Sequence, residues 1–208
     1  MTKNIIVIGR TGSGKSTLAN VLTNTSIFKE GSYGSSETEN CQVGKVLSEI
    51  EKVIKSVKEL SKVLLVVDNN SFTEGEKEIF KLLESVLGNE IDKYTTIVRT
   101  NFVNFEDENS CAEDSKFLIE EITKFSISFT SCKVIHMDNP SINISESSKN
   151  AEKLINLNKQ TREESRKKLL ENLKEERCQI AMEENERFET IESPTEEIGK
   201  GKLKCQIL

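Results

Sequence analysis

The chain has 208 residues, which is enough for one domain with a helical tail. Its formal net charge of −6 argues against a nucleic-acid-binding protein or a general binder of anionic membranes. The five cysteines include no Cys-x-x-Cys pair and there is one histidine, so we expect no zinc site. Because no stretch approaches the roughly 18 apolar residues of a membrane span, the composition predicts a cytoplasmic protein with reduced thiols.

Apolar runs and periodic patterns alternate along the first two thirds of the chain. Short β-branched runs predict buried strands, and apolar residues at three- and four-residue steps predict helices. In chain order, the expected elements are a strand at 5–8, a helix at 15–23, a mobile polar loop at 29–42, a helix at 44–60, a strand at 63–67, a helix at 74–87, a strand at 95–98, a helix at 111–125 and a strand at 133–136. Strands that alternate with helices indicate parallel βα units in an α/β sandwich.

The last third of the chain differs in composition. Residues 145–190 are highly charged, and opposite charges four residues apart favour an exposed helix, with a coiled coil as an alternative. No periodicity follows Ser193-Pro194, which predicts a flexible tail. We therefore expect a globular α/β domain over 1–144, a charged helical extension over 145–190 and a flexible tail over 191–208.

A glycine-rich segment follows the first predicted strand and opens the first predicted helix. It matches the pattern GxxxxGK[ST] and consists of Gly9, Arg10, Thr11, Gly12, Ser13, Gly14, Lys15 and Ser16. Glycines let the backbone N–H groups turn toward phosphates, Lys15 reaches the β- and γ-phosphates, and the Ser16 hydroxyl binds Mg²⁺. The N-terminus of the following helix also favours an anion. The segment therefore predicts a P-loop that binds a nucleoside diphosphate or triphosphate with Mg²⁺.

Three segments together resemble one family of P-loop proteins. They are IGRTGSGKSTLANVL at 8–22, SSETENCQ at 35–42 and SFTEGEKEIFKLLESVLG at 71–88. In these segments the chain resembles the AIG-type GTPases, also called immunity-associated nucleotide-binding proteins. The resemblance implies a three-layer P-loop NTPase, a Ras-like G domain, here with a shortened, mostly parallel sheet and a long C-terminal helical extension. It also implies GTP or GDP with Mg²⁺ as ligands, and assembly into a homo-oligomer.

The resemblance assigns roles to single residues. Thr17 completes the Ser-Thr pair after the P-loop lysine, and Thr38 matches the switch I threonine that, with Ser16, meets Mg²⁺. Thr100 and Asn101 end the strand that leads to the guanine-recognition loop. Asn139 follows the last predicted strand and matches the position near the base.

Two features depart from the family pattern. No DxxG motif occurs between Thr38 and Leu64, and the two strands that flank it in the family are absent. DxxG carries the aspartate that holds Mg²⁺ and the glycine that senses the γ-phosphate, so we expect hydrolysis to be weak or absent. Loss of the two strands would expose the P-loop strand as a sheet edge. In addition, Val103 stands where an acidic residue is expected to recognise guanine.

Other functions compete with the leading one. Asp68 follows five apolar residues, as a Walker B aspartate does, which would fit an ATPase or a small-molecule kinase; the alternative is a turn-capping aspartate before Asn69-Asn70. A second alternative is a pseudo-GTPase that acts as a membrane-tethered interaction scaffold. Arg10 could act as an arginine finger, although this position more often points to solvent, and His136 is expected to pack rather than catalyse.

The chain ends in Cys205-Gln206-Ile207-Leu208, a C-a-a-X pattern whose last residue favours geranylgeranylation. Three upstream lysines would add attraction to anionic lipid, and one lipid chain alone binds membranes weakly. Lipidation at Cys205 would attach the protein to the cytosolic face of a membrane. The alternative is a free cysteine in the tail.

Overall fold

Four parallel strands form the centre of the protein. The computed structural model describes residues 3–30, 59–70, 72–87, 91–126, 128–145, 150–175, 180–181, 196–198 and 201–207. The parallel strands are β1 (Lys3–Gly9), β3 (Lys62–Asp68), β4 (Thr95–Thr100) and β5 (Lys133–His136), and they lie in the order β5-β4-β3-β1. The short strand β2 (Glu59–Leu60) pairs antiparallel with β6 (Ile180–Ala181) in a separate sheet.

Helices cover both faces of the parallel sheet. They are α1 (Lys15–Thr23), α2 (Glu74–Leu87), α3 (Ile91–Tyr94), α4 (Glu108–Thr123) and α5 (Ala151–Glu175). Alternate residues of β1 enter different cores: Ile6 and Ile8 pack with side chains of α2 and α4, whereas Ile5 and Val7 pack with α1 and α5. Two buried faces are the reason that these strands are continuous apolar runs. The structure confirms a three-layer α/β fold.

A capping box starts α2 within the segment that carries the family resemblance. The Thr73 hydroxyl accepts from the Glu76 backbone N–H at 3.3 Å, and the Glu76 carboxylate accepts from the Thr73 N–H at 2.7 Å. Each side chain satisfies a backbone donor of the other residue, which fixes where the helix begins. Phe72, just before the box, contacts the rings of Phe80 and Phe125 at 5.5 and 5.6 Å. The Phe-Thr-x-x-Glu pattern therefore has a structural role here.

Helix α5 is anchored to the domain by apolar and polar contacts. Leu169 and Leu173 join the core formed by α1 and the sheet. Arg162 forms a two-bond ion pair with Glu30, at 3.0 and 2.8 Å. Burial disfavours the charged form of Glu30, but the hydrogen bond and charge of Arg162 outweigh it and lower the pKa of that carboxyl. The predicted division of the chain at residue 144 stays a prediction.

Two strands near the C-terminus extend the main sheet beyond β1. Strand β8 (Gly201–Ile207) runs parallel to β1, and β7 (Glu196–Ile198) pairs antiparallel with β8. The flexible tail predicted over 191–208 stays a prediction, but among the described residues β1 has a neighbour on each side and is not an edge strand. The physical reason is that the free side of β1 offers unpaired backbone groups, which a strand-forming segment of the same chain can satisfy.

Most predicted elements are confirmed within one to three residues at each end. Two short segments expected to be helical, Glu59–Leu60 and Ile180–Ala181, pair with each other as strands instead. The predicted loop at 31–42, including Thr38, and the predicted helix at 44–58 lie outside the described residues. In the part of the chain that is described, no helix is long and apolar enough to cross a membrane.

Candidate nucleotide-binding site

The predicted P-loop forms the turn between β1 and α1. Strand β1 ends at Gly9 and the helix begins at Lys15. Gly12 and Gly14 have φ values of 84° and 87°, a backbone conformation that residues other than glycine rarely adopt. The turn therefore depends on glycine at these two positions. It carries the chain from the strand into the N-terminus of a nine-residue helix, which is a favourable place for an anion.

Gly9 allows the P-loop to lie against the neighbouring strand. A Cβ at this position would lie 2.4 Å from the Val66 carbonyl oxygen and 2.8 Å from the Ser13 hydroxyl oxygen. Both distances are too short for non-bonded atoms, so any larger residue would push β1 away from β3 or open the turn. The first glycine of the motif is therefore required by packing.

The side chain of Lys15 is folded over the loop. Its ammonium group donates to the carbonyl oxygens of Gly9 at 2.8 Å and Arg10 at 3.1 Å. These contacts hold a positive charge at the mouth of the turn, where the β- and γ-phosphates of a nucleotide would lie. Arg10 itself is exposed and its Cδ lies beside Gly75 at the start of α2.

Strand β4 is tied directly to the P-loop. The Thr100 hydroxyl donates to the Ser13 carbonyl oxygen at 2.7 Å, and both groups are buried. The Ser13 hydroxyl is fully buried and has no hydrogen-bond partner among the described residues. Because a buried hydroxyl without a partner is costly, this group fits a site that an anion such as a phosphate would complete. Ser16, in the first turn of α1, is half-buried, and its hydroxyl is the group that could hold Mg²⁺.

The loops after β4 and β5 are joined to each other. The Phe102 backbone N–H donates to the Met137 carbonyl oxygen at 3.1 Å, and the Phe102 ring lies 4.6 Å from the His136 ring. Asn101 has a φ of 56°, and its side-chain amide donates to the Asp68 carboxylate at 2.7 Å. These contacts bring the ends of β3, β4 and β5 together at the same edge of the sheet as the P-loop.

Asp138 and Asn139 follow β5 after one residue, Met137. The Ser165 hydroxyl of α5 donates to the Asp138 carbonyl oxygen at 2.7 Å and accepts from its N–H at 3.2 Å. Burial raises the pKa of the Asp138 carboxyl, against the effect of a hydrogen bond from the Asn139 backbone. The Asn139 side chain is 8% exposed, and neither its amide oxygen nor its amide nitrogen has a partner among the described residues. A ligand with donors and acceptors would satisfy it.

A buried polar network holds the strand ends from which these loops begin. The Asp114 carboxylate of α4 accepts two bonds from Arg99, both at 3.0 Å, and lies 2.7 Å from His136 Nε2. Arg99 also donates to the Asp68 carbonyl oxygen. Burial opposes ionisation of Asp114, but its bonds with His136 and Arg99 and the charge of Arg99 outweigh burial and lower the pKa to about 2. One carboxylate therefore fixes the ends of three neighbouring strands.

We expect Asp114→Asn to lower the free energy of unfolding by about 2 kcal/mol, because it leaves the buried Arg99 charge poorly compensated. The pKa of Asp114 in the folded protein lies below its usual value of 3.8. Its contribution to stability is therefore complete above about pH 4 and is lost as the pH falls toward 2. Denaturant unfolding between pH 7 and pH 2.5 measures this, and the variant should show a weaker pH dependence. An equally steep dependence in the variant would contradict this role of Asp114.

The carboxylate of Asp68 is already engaged by amides. It accepts from the Asn69 backbone N–H at 2.9 Å and from the side chains of Asn70 and Asn101. This is the geometry of an aspartate that caps a turn and joins two loops. It favours the capping interpretation of Asp68 over a Walker B metal ligand.

Comparisons with known proteins find similarity in structure alone. No family model matches the chain, and no curated protein matches it. The structure of Toc33 from Arabidopsis thaliana with Mg²⁺ and GMPPNP is similar over 79% of this chain and 86% of that chain, at 16% identity and a TM-score of 0.52. A dimerization-deficient mutant of Toc33 is similar over the same shares at 16% identity, with a TM-score of 0.53. The chain has the fold of a GTPase G domain.

This fold brings the predicted residues together in two groups. The P-loop residues, with Thr17 in the first turn of α1, are linked to Thr100 by hydrogen bonding. Asn101 and Asn139 lie on the two loops that are joined through Phe102. Cys205 lies in β8, far along the chain from both groups, with Ile5 as its register partner.

Sequence reasoning missed Asp138 as a candidate for base recognition. It sought an acidic residue at position 103, where the exposed Val103 stands. The only available signal was that a carboxylate directly precedes Asn139 after a predicted strand. The supporting residues Asp114 and Ser165 had no signal in the sequence, because they belong to helices whose packing is set by the fold.

Proposed function

We propose that this protein binds GTP and GDP, with Mg²⁺ held at Ser16 and the phosphates in the P-loop. The observation that carries the proposal is a pair of unsatisfied buried groups at the two ends of the site. The Ser13 hydroxyl lies within the P-loop and the Asn139 amide lies after β5. Natural proteins rarely leave such groups without partners unless a ligand or water completes them. A nucleotide has phosphate oxygens for the first group and a base edge for the second.

The base-recognition pair in this proposal is Asp138 and Asn139. Guanine presents N1–H and N2–H₂ donors beside the O6 acceptor, whereas adenine presents an N6–H₂ donor. A carboxylate accepts from the two guanine donors, and an asparagine amide can donate to O6. Because Asp138 is half-buried, its bonds to a base would compete with less water than bonds at the surface. The pair therefore favours GTP and GDP over ATP.

We also propose that GTP hydrolysis is weak and that the protein self-associates. The sequence has no DxxG motif between Thr38 and Leu64 that would hold Mg²⁺ and sense the γ-phosphate. One similar structure has 15% identity and a TM-score of 0.50 and belongs to the chloroplast translocon components atToc33 and psToc159. For these proteins, dimerization is important for the GTPase activity. Single-turnover hydrolysis measured against protein concentration tests both parts.

Direct titration tests the main proposal. Nucleotide-stripped protein is titrated with fluorescent GDP, GTP and ATP, with and without Mg²⁺. We expect guanine nucleotides to bind at micromolar concentrations or below and unlabelled ATP not to displace them. Equal binding of ATP would overturn guanine selectivity, and no binding by a folded protein would overturn the nucleotide site itself.

A further inference from the structure

Three buried polar side chains lie along one side of helix α5. Asn158, Arg162 and Ser165 follow one another at steps of four and three residues, which places them on the same face of the helix. Their exposures are 9%, 8% and 0%, although most other charged side chains at 152–171 are exposed. These three residues are called the polar stripe below. Because buried polar groups need hydrogen-bond partners, this face of α5 must be matched by polar groups of the domain.

The partners of the polar stripe are backbone groups of the loop after β5. Each side chain bonds a different loop residue: Ser165 bonds Asp138, Arg162 Nε donates to the Pro140 carbonyl oxygen and the Asn158 amide donates to the Ser141 carbonyl oxygen. The bonds measure 2.7 and 3.2 Å at Asp138, 2.8 Å at Pro140 and 2.6 Å at Ser141. Asn139 lies between two of these anchored residues. The stripe therefore also fixes the backbone that carries the unsatisfied Asn139 amide.

The direction of the Arg162 side chain is itself fixed by an ion pair. Its two terminal nitrogens donate to the Glu30 carboxylate at 3.0 and 2.8 Å, and the two side chains are 10% and 13% exposed. Because a guanidinium is a rigid, planar fork, this two-bond pair determines where Nε points. Glu30 also accepts from the side chain of Asn20 at 2.9 Å, and Asn20 belongs to α1, the helix that the P-loop opens. Arg162 is therefore held between the loop after β5 and the helix at the phosphate end of the proposed site.

The polar stripe is not needed to attach α5 to the domain. Leu169 and Leu173 of the same helix already pack in the core. Burial of a charge and an amide has a desolvation cost that their bonds only offset, and apolar residues would dock a helix at lower cost. Apolar residues cannot bond a backbone, however. What the polar side chains add is a defined position for the loop at 138–141.

We propose that the polar stripe of α5 sets how long a guanine nucleotide stays bound, by holding the loop at 138–141 in the position that meets the base. This role rests on the proposed function, because it requires the base to contact Asp138 and Asn139. The three stripe residues are positioning residues, since they bond the loop. A loop that is already fixed loses less conformational freedom on binding, and changes at one binding site appear mainly in the dissociation rate. Because such coupling is reciprocal, bound nucleotide should in turn hold the loop against α5.

Removal of the Ser165 hydroxyl tests the proposal with little change of shape. Ser165→Ala deletes both bonds to Asp138 and leaves a side chain of nearly the same size. The loss of these bonds at a buried position should raise the GDP dissociation rate by about tenfold. The association rate should stay within about threefold, because the P-loop is unchanged. Release of fluorescent GDP into excess unlabelled GDP measures dissociation, and mixing at increasing protein concentrations measures association. An unchanged dissociation rate would overturn the proposal.

Thr161→Ala is the matched control on the same helix. The Thr161 hydroxyl donates at 3.2 Å to the Leu157 carbonyl oxygen, which belongs to α5 itself, so the substitution takes no bond from the loop. GDP dissociation from this variant should remain within about twofold of the original protein. Equal acceleration in Thr161→Ala and Ser165→Ala would show that the bonds to the loop are not the cause, and would contradict the role of the stripe.

Hydrogen exchange without nucleotide separates local positioning from general stability. Peptides that cover 137–143 should exchange faster in Ser165→Ala than in the original protein, because the Asp138 N–H loses its acceptor. Peptides that cover β1 and the P-loop, residues 3–16, should exchange at the original rate. Faster exchange in both regions would show a general loss of stability, and the proposal would then be wrong.

GDP binding by the original protein separates failure of this proposal from failure of the proposed function. If the original protein is folded and does not bind GDP, the nucleotide site itself is wrong, and the role of the stripe fails with it. If the original protein binds GDP and Ser165→Ala releases it at the same rate, despite faster exchange at 137–143, the stripe holds the loop without governing the nucleotide. In that case only the present proposal is overturned.

Discussion

Replacing Lys15 with alanine is expected to lower the affinity for GDP and GTP by about a thousandfold. The Lys15 ammonium group is held over the P-loop by the carbonyl oxygens of Gly9 and Arg10. There it would meet the β- and γ-phosphates, which carry the largest charge of the ligand. Truncating one partner of a buried, hydrogen-bonded charge pair costs about 2–5 kcal/mol, and each 1.4 kcal/mol is about tenfold in affinity.

The measurement is a titration with fluorescent GDP in the presence of Mg²⁺. Lys116→Ala is a matched control, since Lys116 is an exposed lysine of α4 and the same charge is removed. The control should bind within about twofold of the original protein. Because the Lys15 bonds to the loop are also lost, the thermal unfolding of the variant without nucleotide must be compared with that of the original protein. A variant that folds and binds GDP normally would rule out the P-loop as the phosphate site.

The turn between β1 and α1 could be predicted because the residues that form it are close together in the sequence. The residues that bend the chain, carry the charge and open the helix lie within Gly9–Ser16. The positive φ values of Gly12 and Gly14 and the close approach at Gly9 explain why the motif requires glycine at these positions. Most strands and helices could also be predicted, because each type has a periodic sequence pattern of its own. Local rules therefore describe the geometry of this turn.

The loops after β4 and β5 could be predicted only in part. Asn139 was assigned through a family resemblance, but the residue that holds its loop, Ser165, lies 26 positions later on α5. The same is true of Asp114, which joins Arg99 and His136 only after α4 has packed on the sheet. Such contacts depend on how helices lie against strands. Spacing along the chain does not contain that information.

The C-terminal hairpin shows a different limit of sequence reasoning. Residues 201–207 are only seven in number and include two lysines, and the sequence indicated a tail. What stabilises β8 is the free side of β1 almost two hundred residues earlier. The sequence also predicts that the two strands that flank DxxG in the family are absent, which would expose this edge of β1. That the chain's own end could occupy the same edge followed only from the sheet order.

Asp138→Asn is expected to reverse the choice between guanine and xanthine nucleotides. The Asp138 carboxylate follows β5, and its main chain is fixed by the Ser165 hydroxyl. In our proposal it accepts from guanine N1–H and N2–H₂. An asparagine at this position keeps one acceptor oxygen but has an N–H₂ donor in place of the other. That donor would face the guanine amino group, which is also a donor, so the two groups cannot form a hydrogen bond. Xanthine has a carbonyl oxygen in place of that amino group, so it accepts the new donor.

The size of the reversal follows from unpaired polar groups in a half-buried site. A site built to hydrogen-bond a particular group can reject an analogue that lacks it by about 10⁴-fold or more. We therefore expect the ratio of GDP to XDP affinity to change by about 10⁴-fold, with GDP binding weakened and XDP binding gained. Competition of both nucleotides against fluorescent GDP or XDP measures the ratio.

Asp107→Asn is the matched control for this change, because it makes the same substitution at an exposed aspartate that caps α4. It should leave the nucleotide preference unchanged. Loss of GDP affinity in Asp138→Asn without a gain for XDP would mean that the carboxylate supports the loop and does not contact the base. In that case the Asn139 amide alone would meet the base edge. Since an amide can both donate and accept, the protein would then discriminate guanine from adenine only weakly.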